Sequence, residues 1–195
     1  MSTQELFGGA ITVPVFNSFV DASPTHLNDS QFRQIPDNQE VFVDMNTQQS
    51  LIFELLEQVE ATNEQVAEYH FQQLADDNEA AESTIILIDN LKPQDISPLL
   101  PQDGTEIYVL QGSQKISKFN ENNAFNTVEI VLVVVRLTKV ATDFVISVNA
   151  PVKLASTSSE QESVNETSAV TIDTVKAEMM AILKGLQVKD WDLFG

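Results

Sequence analysis

The chain has no cysteine, only two histidines, and ten basic residues against 29 acidic ones. Without cysteine there are no disulfides, no thiolate metal sites and no cysteine nucleophile, and a reducing compartment suits such a chain. The two imidazoles, His26 and His70, are the only candidate histidine bases. His26 falls in a predicted loop with no evident partner, and His70 on the predicted inner face of a helix, where a packed, hydrogen-bonded histidine is expected. No zinc-ligand spacing and no calcium loop are present. Gly8-Gly9 lacks the lysine of a phosphate-cradling loop, and Gly112-Ser113 lacks the second glycine of a nucleophile elbow. Asp76-Asp77 and Glu79 read as a solvated helix end. No cofactor, no metal and no covalent catalysis are therefore expected. Long apolar runs are also missing. The longest, Ile130 to Val135, stops at Arg136. It is too short to cross a bilayer and suits a central strand buried on both faces. Met1 to Glu5 lacks the basic-then-apolar pattern of a signal peptide.

What the chain has in excess is negative charge, −19 in all and unevenly spread. Residues 1–100 hold 17 acids and two bases, Arg33 and Lys92, whereas residues 101–195 hold 12 acids and eight bases. A field of this sign repels nucleic acid and anionic membrane, and it speeds encounter with a basic protein surface. Plain solubility is the bland alternative. Lys115, Lys118, Arg136, Lys139 and Lys153 could form a modest basic patch, but no aromatics interleave with them to stack on bases.

With 195 residues, one domain with a full core is expected over residues 1–195. Ile11, Val13 and Val15 alternate in a first strand at 10–16, and Pro14 suggests an edge position. Residues 20–34 are polar and loop-like. A second strand is expected at 39–44. Leu51, Ile52, Leu55, Leu56 and Val59 fall at helical spacing and predict a helix from Thr47 to Glu57. A second helix runs from an Asn63 cap to about Ala80, with Val66, Tyr69, His70, Leu74 and Phe71 inward. Strands follow at 83–91, at 105–119 with a kink or hairpin near Gly112, at 126–140 and at 142–149. The last two are joined too tightly for a crossover helix, so they pair antiparallel. Residues 155–169, rich in Ser, Thr, Glu and Asn, read as a flexible loop. Val170 to Leu186 is an amphipathic helix ending near Gly185. Trp191 and Phe194 are expected to fold the tail back onto the body. The result is an α+β fold: an antiparallel sheet of about six strands flanked by helices.

One surface feature stands out. Ile35-Pro36-Asp37-Asn38-Gln39-Glu40-Val41-Phe42-Val43 joins a turn to a strand. Proline presets the turn, Asp and Asn cap their own backbone, and Val-Phe-Val anchors the strand. Asp37 and Glu40 then stand at the junction of a well-held loop, a plausible partner site. With Leu6-Phe7-Gly8-Gly9-Ala10-Ile11, Ser50 to Glu57, Tyr69-His70-Phe71, Thr142 to Ser147 and Trp191-Asp192-Leu193-Phe194-Gly195, in this order and spacing, the chain resembles the Ran guanine-nucleotide release factor family, the Mog-type nuclear import factors. The likeness covers roughly residues 6–154 and 170–195.

That resemblance implies a sandwich related to the PsbP-like fold, a protein found in the nucleus and also the cytoplasm, and the small GTPase Ran as its partner; nothing in the sequence demands an oligomer, so a monomer is expected. It implies release of guanine nucleotide from Ran in support of nuclear protein import, with no enzyme chemistry, nucleic acid or membrane. The contact residues it implies are Asp37 and Glu40, then Asn38 and Gln39, and after them Asp21 and Arg33. Two other readings stay open. One is an acidic adaptor that binds Ran or another basic protein without releasing nucleotide. The other is a small-molecule-binding or hydrolytic domain, which a closed pocket lined by His70 beside an acid would favour.

Overall fold

The computed structural model describes residues 1–22, 35–117, 125–153 and 171–195. Arg33, His26, Lys118 and the 155–169 loop lie outside these. Two antiparallel sheets form the frame. In chain order the strands are β1 (Ser2–Leu6), β2 (Ile11–Val15), β3 (Val20–Asp21), β4 (Gln39–Asp44), β5 (Gln49–Glu57), β6 (Glu82–Leu91), β7 (Thr105–Ser117), β8 (Phe125–Leu137), β9 (Thr142–Lys153) and β10 (Gln187–Val188). The large sheet runs β3-β4-β5-β9-β8-β7-β6 and the small one β1-β2-β10. Among the described residues three α-helices, α1 (Val66–Asp77), the single-turn α2 (Pro93–Ile96) and α3 (Ile172–Gly185), accompany the sheets.

Strand β8 shows why the large sheet is the centre. Val131, Val133, Val135 and Leu137 enter one apolar cluster, while Val128, Ile130, Leu132 and Val134 enter another on the opposite face. A strand that is apolar at both parities buries both faces, which the run Ile130 to Val135 predicts. Each fully buried Val or Ile contributes about 1.5–3 kcal/mol of hydrophobic stabilisation. The first face is covered by α3 and the small sheet through Val175, Met179, Ile182, Leu183, Ile11 and Val13. The second is covered by α1 through Val66, Ala67 and Phe71. Helix α3 starts where Thr171 Oγ1 accepts from the Thr174 N–H at 3.3 Å, and it ends at Gly185. A Cβ at Gly185 would lie 2.7 Å from the Pro14 ring.

Several expectations are corrected. Residues 47–57 are not helical; Gln49–Glu57 is strand β5, paired with β4 on one side and β9 on the other. Leu51 and Leu55 satisfy a spacing of four, which helix and strand share. Phe53, off the helical stripe, is fully buried with Leu51 and fixes the period at two. A hairpin turn precedes β5: Asp44 accepts from the Asn46 N–H at 2.8 Å, and Gln48 adopts φ 58. Helix α1 begins at Val66 rather than at an Asn63 cap, and Tyr69 points outward. Strand β7 has no hairpin at Gly112. It pairs with β8 without interruption from Thr105 to Ser117. The glycine is required by packing, because a Cβ there would sit 2.4 Å from the Phe71 ring. Strand β2 is central, not an edge, yet Pro14 lies beyond the two residues paired by β10. In the tail, Leu193 and Phe194 pack on the core, whereas Trp191 rests against the Phe194 ring and stays partly exposed.

Candidate functional site

The turn ahead of β4 is built by its own sequence. The Gln39 N–H donates to the Pro36 carbonyl at 2.9 Å, closing a four-residue turn with Asp37 and Asn38 at its tip. Three bonds then tie the tip to β5. The Leu55 N–H donates to the Asn38 carbonyl at 2.9 Å, Asn38 Nδ2 donates to the Leu55 carbonyl at 3.1 Å, and Gln39 Nε2 donates to Glu54 Oε1 at 2.7 Å. Asn38 and Gln39 are thus holders of the loop. Asp37 is left exposed at its tip, with its backbone immobilised on both sides.

Glu40 is different. It is half-buried, and its Oε1 accepts from the Phe7 N–H at 2.9 Å. Phe7, Gly8 and Gly9 form a 3-10 turn with φ of 50°, 68° and 91°. Three successive left-handed residues carry strain at Phe7, which an L side chain adopts at a cost of about 1–3 kcal/mol. The charge-assisted bond from Glu40 offsets it. The Phe7 ring in turn meets Phe144 edge-on at 6.3 Å. Thus the Leu6-Phe7-Gly8-Gly9 segment and the acidic turn, far apart in sequence, are one structural unit. Asp21 stands exposed on β3, opposite Phe42 of β4, at the same edge of the large sheet.

Of the basic residues that could form a patch, the three whose side chains are described are spent in ion pairs, the role expected for them over nucleic-acid contact. Lys115 pairs with Glu82 at 2.6 Å, Lys139 with Asp103 at 2.6 Å, and Arg136 is buried. Arg136 belongs instead to a network that sequence reading overlooked. Its Nε and Nη2 donate to the two carboxylate oxygens of Asp143 at 2.8 and 2.9 Å. Its remaining donors reach the carbonyls of Ala61 and Val59 and the Asn63 side chain. Asp143 also accepts from the Val59 N–H at 3.2 Å and lies 3.1 Å from His70 Nε2. Burial alone would push the Asp143 carboxyl up, but the bonds from Arg136, His70 and the Val59 N–H outweigh it and hold it down at about 2. The same pairing raises the Arg136 guanidinium. The signal for this pair was in the sequence: a tight turn between β8 and β9 sets Arg136 opposite Asp143.

His70 is buried as expected, and it also lines a cleft between α1, β5, β8 and β9. The cleft is open to solvent, and the acid beside His70 is the one clamped by Arg136, so the dyad serves to fasten α1 to the sheet. Among the described residues no group of three metal-ligating side chains converges, and no helix is long and apolar enough to cross a membrane.

Residues 4–151 match the family model described as "Mog1: Ran-interacting Mog1 protein". The chain belongs to the Mog1 family. It is 34% identical to the Ran guanine nucleotide release factor of Danio rerio, over 99% of this chain and 100% of that one. It is 37% identical to the nuclear import protein mog1 of Schizosaccharomyces pombe, over 91% and 90%. Its fold is similar to the crystal structure of the Saccharomyces cerevisiae Ran-binding protein Mog1p, with a TM-score of 0.68 at 28% identity and full coverage of both chains. The α+β sandwich expected from the sequence is therefore that of a Mog1 family member, with a seven-stranded main sheet in place of about six strands.

Proposed function

We propose that this protein binds the small GTPase Ran through the acidic turn and promotes release of its guanine nucleotide, in support of nuclear protein import. The observation that carries the reading is Asp37, an exposed carboxylate on a backbone fastened at Pro36, Asn38 and Gln39. A charge held in place before encounter loses little freedom on binding, so more of its attraction appears as affinity. Release then needs no bond making or breaking. A GTPase grips nucleotide through its phosphate loop, a lysine, Mg²⁺ and ordered switch segments. A factor that prefers the nucleotide-free state by ~4 kcal/mol weakens nucleotide binding about a thousandfold, by linkage. Such a protein is a regulator rather than an enzyme.

Within the site, Asp37 is the direct contact. Glu40 contributes charge while holding the Phe7 turn, Asn38 and Gln39 set the tip, and Asp21 and Arg33 are outlying contacts. The strongly negative first half of the chain disfavours nucleic acid and membrane as partners and suits a basic protein face. The protein acts as a monomer, in the nucleus and also the cytoplasm.

The test is Ran loaded with a fluorescent guanine nucleotide and chased with unlabelled nucleotide. The wild-type chain should accelerate the fluorescence decay in proportion to its concentration, and Asp37→Lys should not. Because Glu40 supports the fold, Glu40→Gln, which keeps an acceptor for Phe7, is the proper companion. Binding without acceleration would make the protein an acidic adaptor, and binding that survives Asp37→Lys would remove the acidic turn from the site.

A further inference from the structure

The cleft beside the acidic turn has no role in the reading above. It encloses about 270 Å³. Leu132, Val145 and Ser147, all buried, lie at its base. Glu54, half-buried, and Asp77, exposed, stand on its walls with Tyr69, which is 42% exposed. We propose that this cleft is a second docking point for the protein partner, taking one apolar side chain flanked by lysine or arginine. The proposal rests on the Ran reading and deepens it.

Three observations converge. Leu132 and Val145 give the base an apolar floor with the Ser147 hydroxyl beside it, so an apolar group gains by resting there and a bare charge does not. The walls carry two carboxylates that have no lysine or arginine within ion-pair distance among the described residues, one Glu54 oxygen accepting only the neutral Gln39 amide, so basic flanks on a partner find acids without a basic partner there. The cleft is also continuous with the acidic turn. Glu54, one of its walls, accepts the Gln39 amide at 2.7 Å, and neighbouring Leu55 is bonded in both directions to Asn38. A partner seated on Asp37 therefore extends over the cleft. Tyr69, an amphipathic ring left outside the core, is the kind of residue that anchors the centre of an interface.

The experiment measures the affinity of the full chain for Ran. Tyr69→Ala removes the aromatic wall. Asp77→Lys reverses a wall charge in the last turn of α1, where a cation suits the helix dipole and the fold is preserved. Each should weaken binding about tenfold, as truncation of an interface anchor does, and Asp77→Lys should also flatten the salt dependence. Melting curves guard against misfolding, and Asp77→Lys remains decisive if Tyr69→Ala is unstable. Wild-type affinity in either folded variant, with Asp37→Lys still defective, overturns the cleft assignment and leaves the Ran reading standing. A wild-type chain that fails to bind Ran overturns both.

Discussion

Asp143 and Asp37 are the same residue type put to opposite uses. Asp143 is fully buried and held by a guanidinium, an imidazole and a backbone N–H. Asp37 is exposed, and it is the chain around it that is held. Glu40 lies between them, half-buried, with an oxygen committed to Phe7. The difference teaches how an acidic protein spends its carboxylates. Burial turns a charge into a fastener, because leaving its partner unpaired is costly. Exposure on a rigid support leaves a charge for a partner, because water and salt make it nearly neutral for stability.

The sharpest way to break this comparison is Asp143→Ala. It strands Arg136, which is 1% exposed, and should cost about 3–5 kcal/mol, read as a lower urea midpoint. A loss below about 1 kcal/mol would mean that the network is dispensable. The same network predicts a pH signature. The Asp143 carboxyl is held at about 2, below its ordinary 3.8. A depressed carboxylate stabilises above its unfolded value, and that contribution is lost as pH falls from near 3.8 toward 2. Denaturant midpoints through that window should fall for the wild type and fall less for Asp143→Asn.

Glu40→Ala should cost about 1–2 kcal/mol, by removing a charged acceptor from the strained Phe7 turn. Glu40→Gln should recover most of it. Equal losses in the two variants would show that the hydrogen bond is not what matters. At the small end, Asp37→Lys should change stability by less than about 0.5 kcal/mol while costing about 2–5 kcal/mol of Ran binding. A marked drop in melting temperature would place Asp37 with Glu40 rather than apart from it.

The legible parts of the sequence are those where one physical signal acts alone. The doubly apolar run of β8, the tight turn into β9, the Pro36 turn and the amphipathic α3 all fall where they were expected. Misreadings came where two signals coincided. In β5, leucines four apart fit two periods, and only the neglected Phe53 separated them. At Gly112, where a kink or hairpin was expected, the irregularity is a register shift in the facing strand β6 between Ile85 and Leu87, and the glycine itself makes room for the Phe71 ring. The acidic turn could be seen in sequence as a pair of exposed acids, but not the inequality within it. Glu40 is drawn inward by Phe7, 33 positions away, and no local pattern reports that contact. The cleft was equally hidden, since α1, β5, β8 and β9 contribute to it from residues 54 to 147.

The small sheet has a consequence for how the chain matures. Its three strands come from the first and last segments, and the Lys189 and Asp190 N–H groups both donate to the Ala10 carbonyl, at 2.7 and 3.1 Å. Ala10 directly follows the strained turn that Glu40 holds. During synthesis β10 cannot pair with β2 until residues 187–188 have left the ribosome. A product truncated before residue 187 would lack the bonds that hold the Ala10 carbonyl and would present a loosened Phe7 turn. The first strands of the small sheet therefore wait, through the synthesis of everything between, for the strand that closes it.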